Sequence, residues 1–211
     1  MDKNTKVNID LHLHTNTTDG EITAQQVIEE SIHLKIKTIA FTEHIDKNPT
    51  YNWYTFYNDI KRINHKNLKV FIGTEAKVLD TQGTLNIPND ILKDSDIVLG
   101  AVHGEGDVIW LLKSNCDIIA HPPINNNNLS MFLNCKKILE INPKDKYRLE
   151  DQILEKLIES GCIFSFGSNT HLLTDISEGQ EYFSKILNKY PNIKVIGINH
   201  PIPDFKKIRS E

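Results

Sequence analysis

Seven short runs rich in apolar and β-branched residues recur along the 211-residue chain, at 7–12, 38–42, 69–74, 97–102, 117–120, 138–141 and 163–166. An eighth, weaker run follows at 195–198. Segments with helical periodicity separate them. Strands that alternate with helices are joined by crossovers rather than hairpins, which implies parallel pairing in one α/β sheet. The helical segments carry their own signals. Thr23 with Gln26 predicts a capping box, after which Val27, Ile28 and Ile32 share a face. Trp53, Phe56, Tyr57, Ile60 and Ile63 repeat the pattern, as do Leu149, Ile153, Leu154, Leu157 and Ile158 up to the stop at Gly161, and later Phe183, Ile186 and Leu187. Shorter helices are expected at 106–112 and 127–134.

Such a chain folds as an open doubly wound sheet or as a barrel. Neither G-x-G-x-x-G after the first strand nor G-x-x-x-x-G-K-[ST] occurs, so the barrel is preferred. The length suits one domain spanning 1–211. With 39% hydrophobic and 25% charged residues, and only 10 Gly and 8 Pro, disordered and collagen-like readings fail. A net charge of −4 argues against holding nucleic acid or an anionic membrane by bulk positive charge. Cys116, Cys135 and Cys162 are odd in number and form no C-x-x-C pair, so free thiols are expected. The first six residues, Met1 to Lys6, lack an apolar leader core, and no run approaches the roughly 18 apolar residues of a membrane span. A cytoplasmic protein is expected.

Nine histidines stand out, and six of them end or follow predicted strands: His12 and His14 the first, His44 the second, His103 the fourth, His121 the fifth and His171 the seventh. Glu75 closes the third. Residues past the C-terminal ends of parallel barrel strands converge on one face, where active sites of that architecture form. Asp10, His12 and His14 alternate with Leu11 and Leu13, so the three polar residues share one side of the first strand. Paired imidazoles suit a divalent metal ion, and a carboxylate such as Glu75 can bridge two. A ligand set without cysteine points to an open catalytic site rather than a closed structural one. His33 and His65 are expected to be solvated, and His200 to be a turn residue.

These residues, in this order, resemble the PHP (polymerase and histidinol phosphatase) family between about Val7 and His171. Asp10-x-His12-x-His14 with Asp19-Gly20 is similar to the family's first motif, and Phe41-Thr42-Glu43-His44 to its second. Gly73-Thr74-Glu75-Ala76, Val102-His103 and Ala120-His121-Pro122 are similar to the next three. The segment from Gly83 to Pro88, leading into Asp96-Ile97-Val98, is closest to the stand-alone phosphatase and polymerase X branch. The resemblance implies a distorted (β/α)7 TIM-like barrel with a trinuclear site at the C-terminal face of its strands.

Carried across, it implies that His12, His14 and Glu75 hold a first metal with residue 169, Glu75, His103 and His121 a second, and Asp19, His44 and His171 a third. The ions would be two or three of Mn, Fe or Zn. Where the family's last motif is Ser-Asp-x-His, this chain reads Ser168-Asn169-Thr170-His171, so a neutral carbonyl replaces a carboxylate. The implied activity is hydrolysis of a small phosphomonoester by a metal-bridging hydroxide, with Glu75, Asp19 and His171 as the catalytic residues. Alternatives are a histidinol-phosphate phosphatase specifically, a 3′-5′ exonuclease-type phosphodiesterase, an amidohydrolase barrel, and a weakly active metal- or phosphate-binding regulator because of Asn169. Lys77, Lys144 and Arg148 follow strands and are candidates to meet a substrate anion, while Glu43 and Glu105 are candidates to meet a cationic one.

Overall fold

The computed structural model describes residues 7–63, 65–104, 106–133 and 135–210. The segment 1–6, Glu105 and the last residue of the helix expected at 127–134 lie outside them. Eight strands form one parallel sheet in sequence order: β1 Ile9–Leu13, β2 Thr38–Ile45, β3 Lys69–Lys77, β4 Val98–Ala101, β5 Ile118–Ile119, β6 Ile138–Ile141, β7 Ile163–Phe166 and β8 Lys194–Val195. Helices connect most of them: α1 Ala24–His33, α2 Trp53–Arg62, α3 Asn89–Asp94, α4 Leu129–Phe132, α5 Asp151–Glu159 and α6 Leu173–Lys189, with α7 Phe205–Ser210 at the end.

The sheet curls. The His14 amide donates to the Thr170 carbonyl (3.0 Å) and the Asn169 amide to the His12 carbonyl (2.9 Å), so β1 meets the segment just past β7. β8 is a two-residue strand beside the opposite end of β7, pairing Lys194 with Ile163 and Val195 with Phe164. The result is the expected TIM-like α/β barrel, with the weak eighth run represented by the two-residue β8.

Local chemistry accounts for the elements. The Thr23–Gln26 capping box forms: Thr23 Oγ1 accepts from the Gln26 amide (3.3 Å) and Gln26 Oε1 from the Thr23 amide (2.9 Å). Gly161, at φ +85°, takes the left-handed position that ends α5, where its amide bonds Ile158 O (3.0 Å). Leu13, Val27, Ile28, Phe41, Phe56, Ile60 and Ile72 form one core layer between the sheet and α1 and α2.

Several boundaries differ from expectation. β2 runs through Glu43 and His44, and β3 through Glu75 to Lys77, because the Glu43, His44 and Glu75 side chains find partners inside the fold and need not leave the strand. Ile32 is 46% exposed, since the buried stripe of α1 passes instead through Ser31, whose hydroxyl donates to Val27 O (2.7 Å). The helix expected at 106–112 is a 3-10 segment, Val108–Lys113, and that at 127–134 is only the single turn α4.

α7 seals the N-terminal end of the barrel. Arg209 pairs with Asp117 and donates to Ser95 O, while Asp117 Oδ2 also accepts from the Val98 amide (2.7 Å). Burial pushes the Asp117 carboxyl up to about 7, and Arg209 opposes that shift. Removing one partner of a buried pair strands the other, so Arg209→Ala is expected to cost about 3 kcal/mol. Urea unfolding of the two proteins measures this, and a loss below about 0.5 kcal/mol, typical of exposed pairs, would contradict the role.

Candidate metal centre

The mouth of the barrel is built around one carboxylate. β3 places Glu75 on the inner face, where Oε1 lies 2.8 Å from His121 Nε2 and 3.2 Å from His103 Nε2. Its Oε2 lies 3.1 Å from His44 Nδ1 and 3.4 Å from both His12 Nε2 and His14 Nε2. Five imidazoles from four elements thus surround one buried side chain. The sixth, His171, sits beside them: Asp19 Oδ2 is 3.2 Å from His171 Nε2 and 3.3 Å from His44 Nε2. All six histidines predicted to converge do so, together with Glu75 and Asp19.

Three groups bring their donor atoms within 4.8 Å of one another: His12, Glu75 and His121; His44, Glu75 and His103; and His14, Asp19, His44 and His171. His14 therefore stands with the Asp19 group in space, not only with its strand neighbour His12. The donor set fits divalent metal ions. His12 Nε2 and His14 Nε2 approach to 3.0 Å, a contact of two lone pairs unless a proton or cation lies between, and Glu75 Oε2 is buried without a hydrogen bond.

Charge distribution agrees. Burial alone would raise Glu75, but the imidazoles, His12 foremost, hold it well below the usual carboxylate range. Burial pushes His14 down to about 3, leaving its ring neutral with a lone pair free. Burial would lower His12 as well, yet Glu140 and Glu75 hold it well above its ordinary value.

Glu140 is a residue that motif reading missed. From β6 its Oε1 reaches His12 Nδ1 (2.6 Å), and its Oε2 accepts from the His121 amide (2.6 Å) and Asn142 Nδ2 (3.1 Å). One carboxylate thus ties together two histidines that flank Glu75. It supports the strained backbone of His121, at φ +30°. Gly167 makes room, since a Cβ there would lie 2.0 Å from Glu140 Oε1. The available signal was an acid inside the apolar run Ile138-Leu139-Glu140-Ile141, a position where an unpaired carboxylate is rare.

Asn169 lies at φ +53°, a left-handed conformation that asparagine tolerates. Its main chain joins His12 to His171: the amide donates to His12 O (2.9 Å) and the carbonyl faces His171 Nδ1 (3.0 Å). Asp175 accepts from the His171 and Leu172 amides (2.8 and 2.9 Å), fixing the loop from the other side.

The substrate-contact candidates divide. Glu43 is fully buried, takes hydrogen bonds from the Thr15 and Thr18 hydroxyls and is pushed up to about 7 by burial. It braces the loop that carries Asp19 and does not face a substrate. Lys144 is paired with Asp175, and Arg148 with Asp145 (2.6 Å) and Pro143 O (2.7 Å). Lys77 lines the open cleft of about 380 Å3 with Thr18, Asp19, His44, Glu75 and His103. His33 is exposed; His65 is half-buried, its Nδ1 3.2 Å from Leu68 O, rather than freely solvated. His200 is a turn residue whose carbonyl accepts from the Gly197 amide (2.7 Å).

The PHP domain family matches residues 10–200. A Thermoanaerobacter sp. protein named "Probable phosphatase" is 25% identical over 212 residues, covering 87% of this chain and 86% of its own. The DNA polymerase/3′-5′ exonuclease PolX of Bacillus subtilis is 28% identical over 131 residues, covering 54% of this chain but 23% of its own. Among solved structures, the histidinol phosphate phosphatase of Lactococcus lactis, complexed with zinc, L-histidinol and phosphate, superposes with a TM-score of 0.67. It has 17% identity and covers 90% of this chain and 95% of its own. On the strength of a family match that spans nearly the whole chain and meets the histidine and glutamate cluster described above, the protein belongs to the PHP domain family.

Proposed function

We propose that this protein is a metal-dependent phosphoesterase acting on small phosphomonoesters. The observation that carries the reading is Glu75, ionised, buried and in contact with five imidazoles at 2.8–3.4 Å, with the Asp19–His44–His171 group alongside. Three metal positions fit these side chains, two of them sharing Glu75 and the third formed by Asp19, His44 and His171. Divalent ions there would act as Lewis acids, easing deprotonation of water and neutralising charge on phosphoryl oxygens. Glu75 would fix spacing from the buried side. Asp19 and His171, whose side chains are 52% and 31% exposed, form the outer edge and would face the phosphate and its leaving oxygen. The free thiols Cys116, Cys135 and Cys162 fit a cytoplasmic setting. Among the described residues no helix is long and apolar enough to cross a membrane.

Asn169, whose main chain bonds to His12 and His171, stands where the resemblance implies a carboxylate ligand of the metal held by His12, His14 and Glu75. Returning a carboxylate by Asn169→Asp is expected to tighten metal binding about tenfold in chelator competition, by adding one unit of compensating charge. Unchanged affinity would mean that residue 169 acts through its left-handed backbone alone.

The match to an exonuclease-bearing polymerase makes phosphodiester cleavage the second reading. Phosphate release from a panel of monoesters, L-histidinol phosphate included, is compared with nucleotide release from a labelled single strand. Faster turnover of a monoester supports the proposal, and faster release of nucleotides reverses the order.

A further inference from the structure

We infer that Lys77 is the residue that captures the substrate's phosphate, a role that rests on the phosphoesterase reading for its place in catalysis but not for its test. β3 carries Gly73, Glu75 and Lys77 on one face, because side chains two apart in a strand point the same way. Glu75 lies at the floor of the cleft among the imidazoles. Lys77 stands one step further out, about 7 Å along the strand, and lines the same cleft. Its amine leans over the loop that follows β4, where a Cβ on Gly104 would lie 3.9 Å from Nζ.

Its isolation is informative. Two other cations that follow strands at the mouth are held within the protein, Lys144 by Asp175 and Arg148 by Asp145 and Pro143 O. Among the described residues the Lys77 amine has neither an ion pair nor a hydrogen bond, although Asp19 and Asp46 line the same cleft. Asp46 is engaged by Asn86 Nδ2, and Asp19 by His44 and His171. An unpaired ammonium at the rim, a short flexible reach from the histidine cluster, matches a phosphate dianion with one end in the cluster and one oxygen free. The hydroxyl-bearing Thr50 lines the same cleft and suits a further phosphate oxygen.

The test uses Lys77→Met, which keeps the apolar stem and removes the charge, and Lys77→Arg, which keeps the charge. Inorganic phosphate is titrated into the metal-loaded proteins by calorimetry, and KM and product inhibition are measured with an aryl phosphate. Loss of one charge-assisted hydrogen bond is expected to weaken phosphate binding about tenfold in the methionine variant, with a parallel rise in KM and substantial recovery in the arginine variant. Equal phosphate affinity in wild type and Lys77→Met overturns the assignment, as does a loss that the arginine variant shares in full. Calorimetry needs no turnover, so a wild type that binds phosphate through Lys77 yet hydrolyses nothing would sink the phosphoesterase reading and leave this one standing.

Discussion

Glu75→Gln is expected to lower phosphoester turnover by at least about 10³-fold and to empty much of the metal centre, because charge stabilisation supplies most of the catalysis in phosphoryl transfer. The substitution keeps shape and removes charge. An amide offers one oxygen and one NH2 where the carboxylate offers two oxygens, and those two now face five imidazole nitrogens. Whichever way the amide turns, its donor end points at nitrogens arranged to share a cation. Turnover and elemental analysis together check the prediction. A variant with full metal content and activity within tenfold of wild type would show that Glu75 is not the shared ligand.

Glu140→Gln tests the layer behind. Carboxylates that hold the far nitrogen of a ligating histidine typically contribute 10- to 100-fold in metal affinity, and a loss of about that size is expected here by chelator competition. The amide oxygen can replace Oε1 opposite His12 Nδ1, but its NH2 then meets the His121 amide, donor against donor. One histidine of the two is therefore released. Circular dichroism and thermal melting of the metal-free protein separate this from general unfolding. A folded variant with wild-type affinity would contradict the role assigned to Glu140.

The order of strands and helices was legible because each strand is an apolar run of fixed period and each helix carries a cap or stop, as Thr23 and Gly161 show. The ligand cluster was legible for a related reason: parallel strands end on a common face, so histidines far apart in sequence meet without any knowledge of contacts. Strand ends were less readable. Glu43, His44 and Glu75 look like departures from an apolar run, yet each continues its strand because its side chain finds a partner inside the fold. Glu140 was missed on the same grounds, being inside its strand rather than after it. Asn169 shows a different limit. As a letter it reads as a lost carboxylate, whereas its left-handed backbone and its two main-chain bonds depend on β1 closing against the segment after β7.

The central claim is that the six histidines, Glu75 and Asp19 hold catalytic metal ions that hydrolyse a phosphate monoester. It is tested most directly by stripping the purified protein with a chelator, restoring Mn, Fe, Zn or Co in turn, and following aryl phosphate hydrolysis against bound metal per chain. The account predicts no turnover in the stripped protein and recovery that rises as two to three ions bind. Turnover that persists without metal, or its absence with every one of the four, would contradict it.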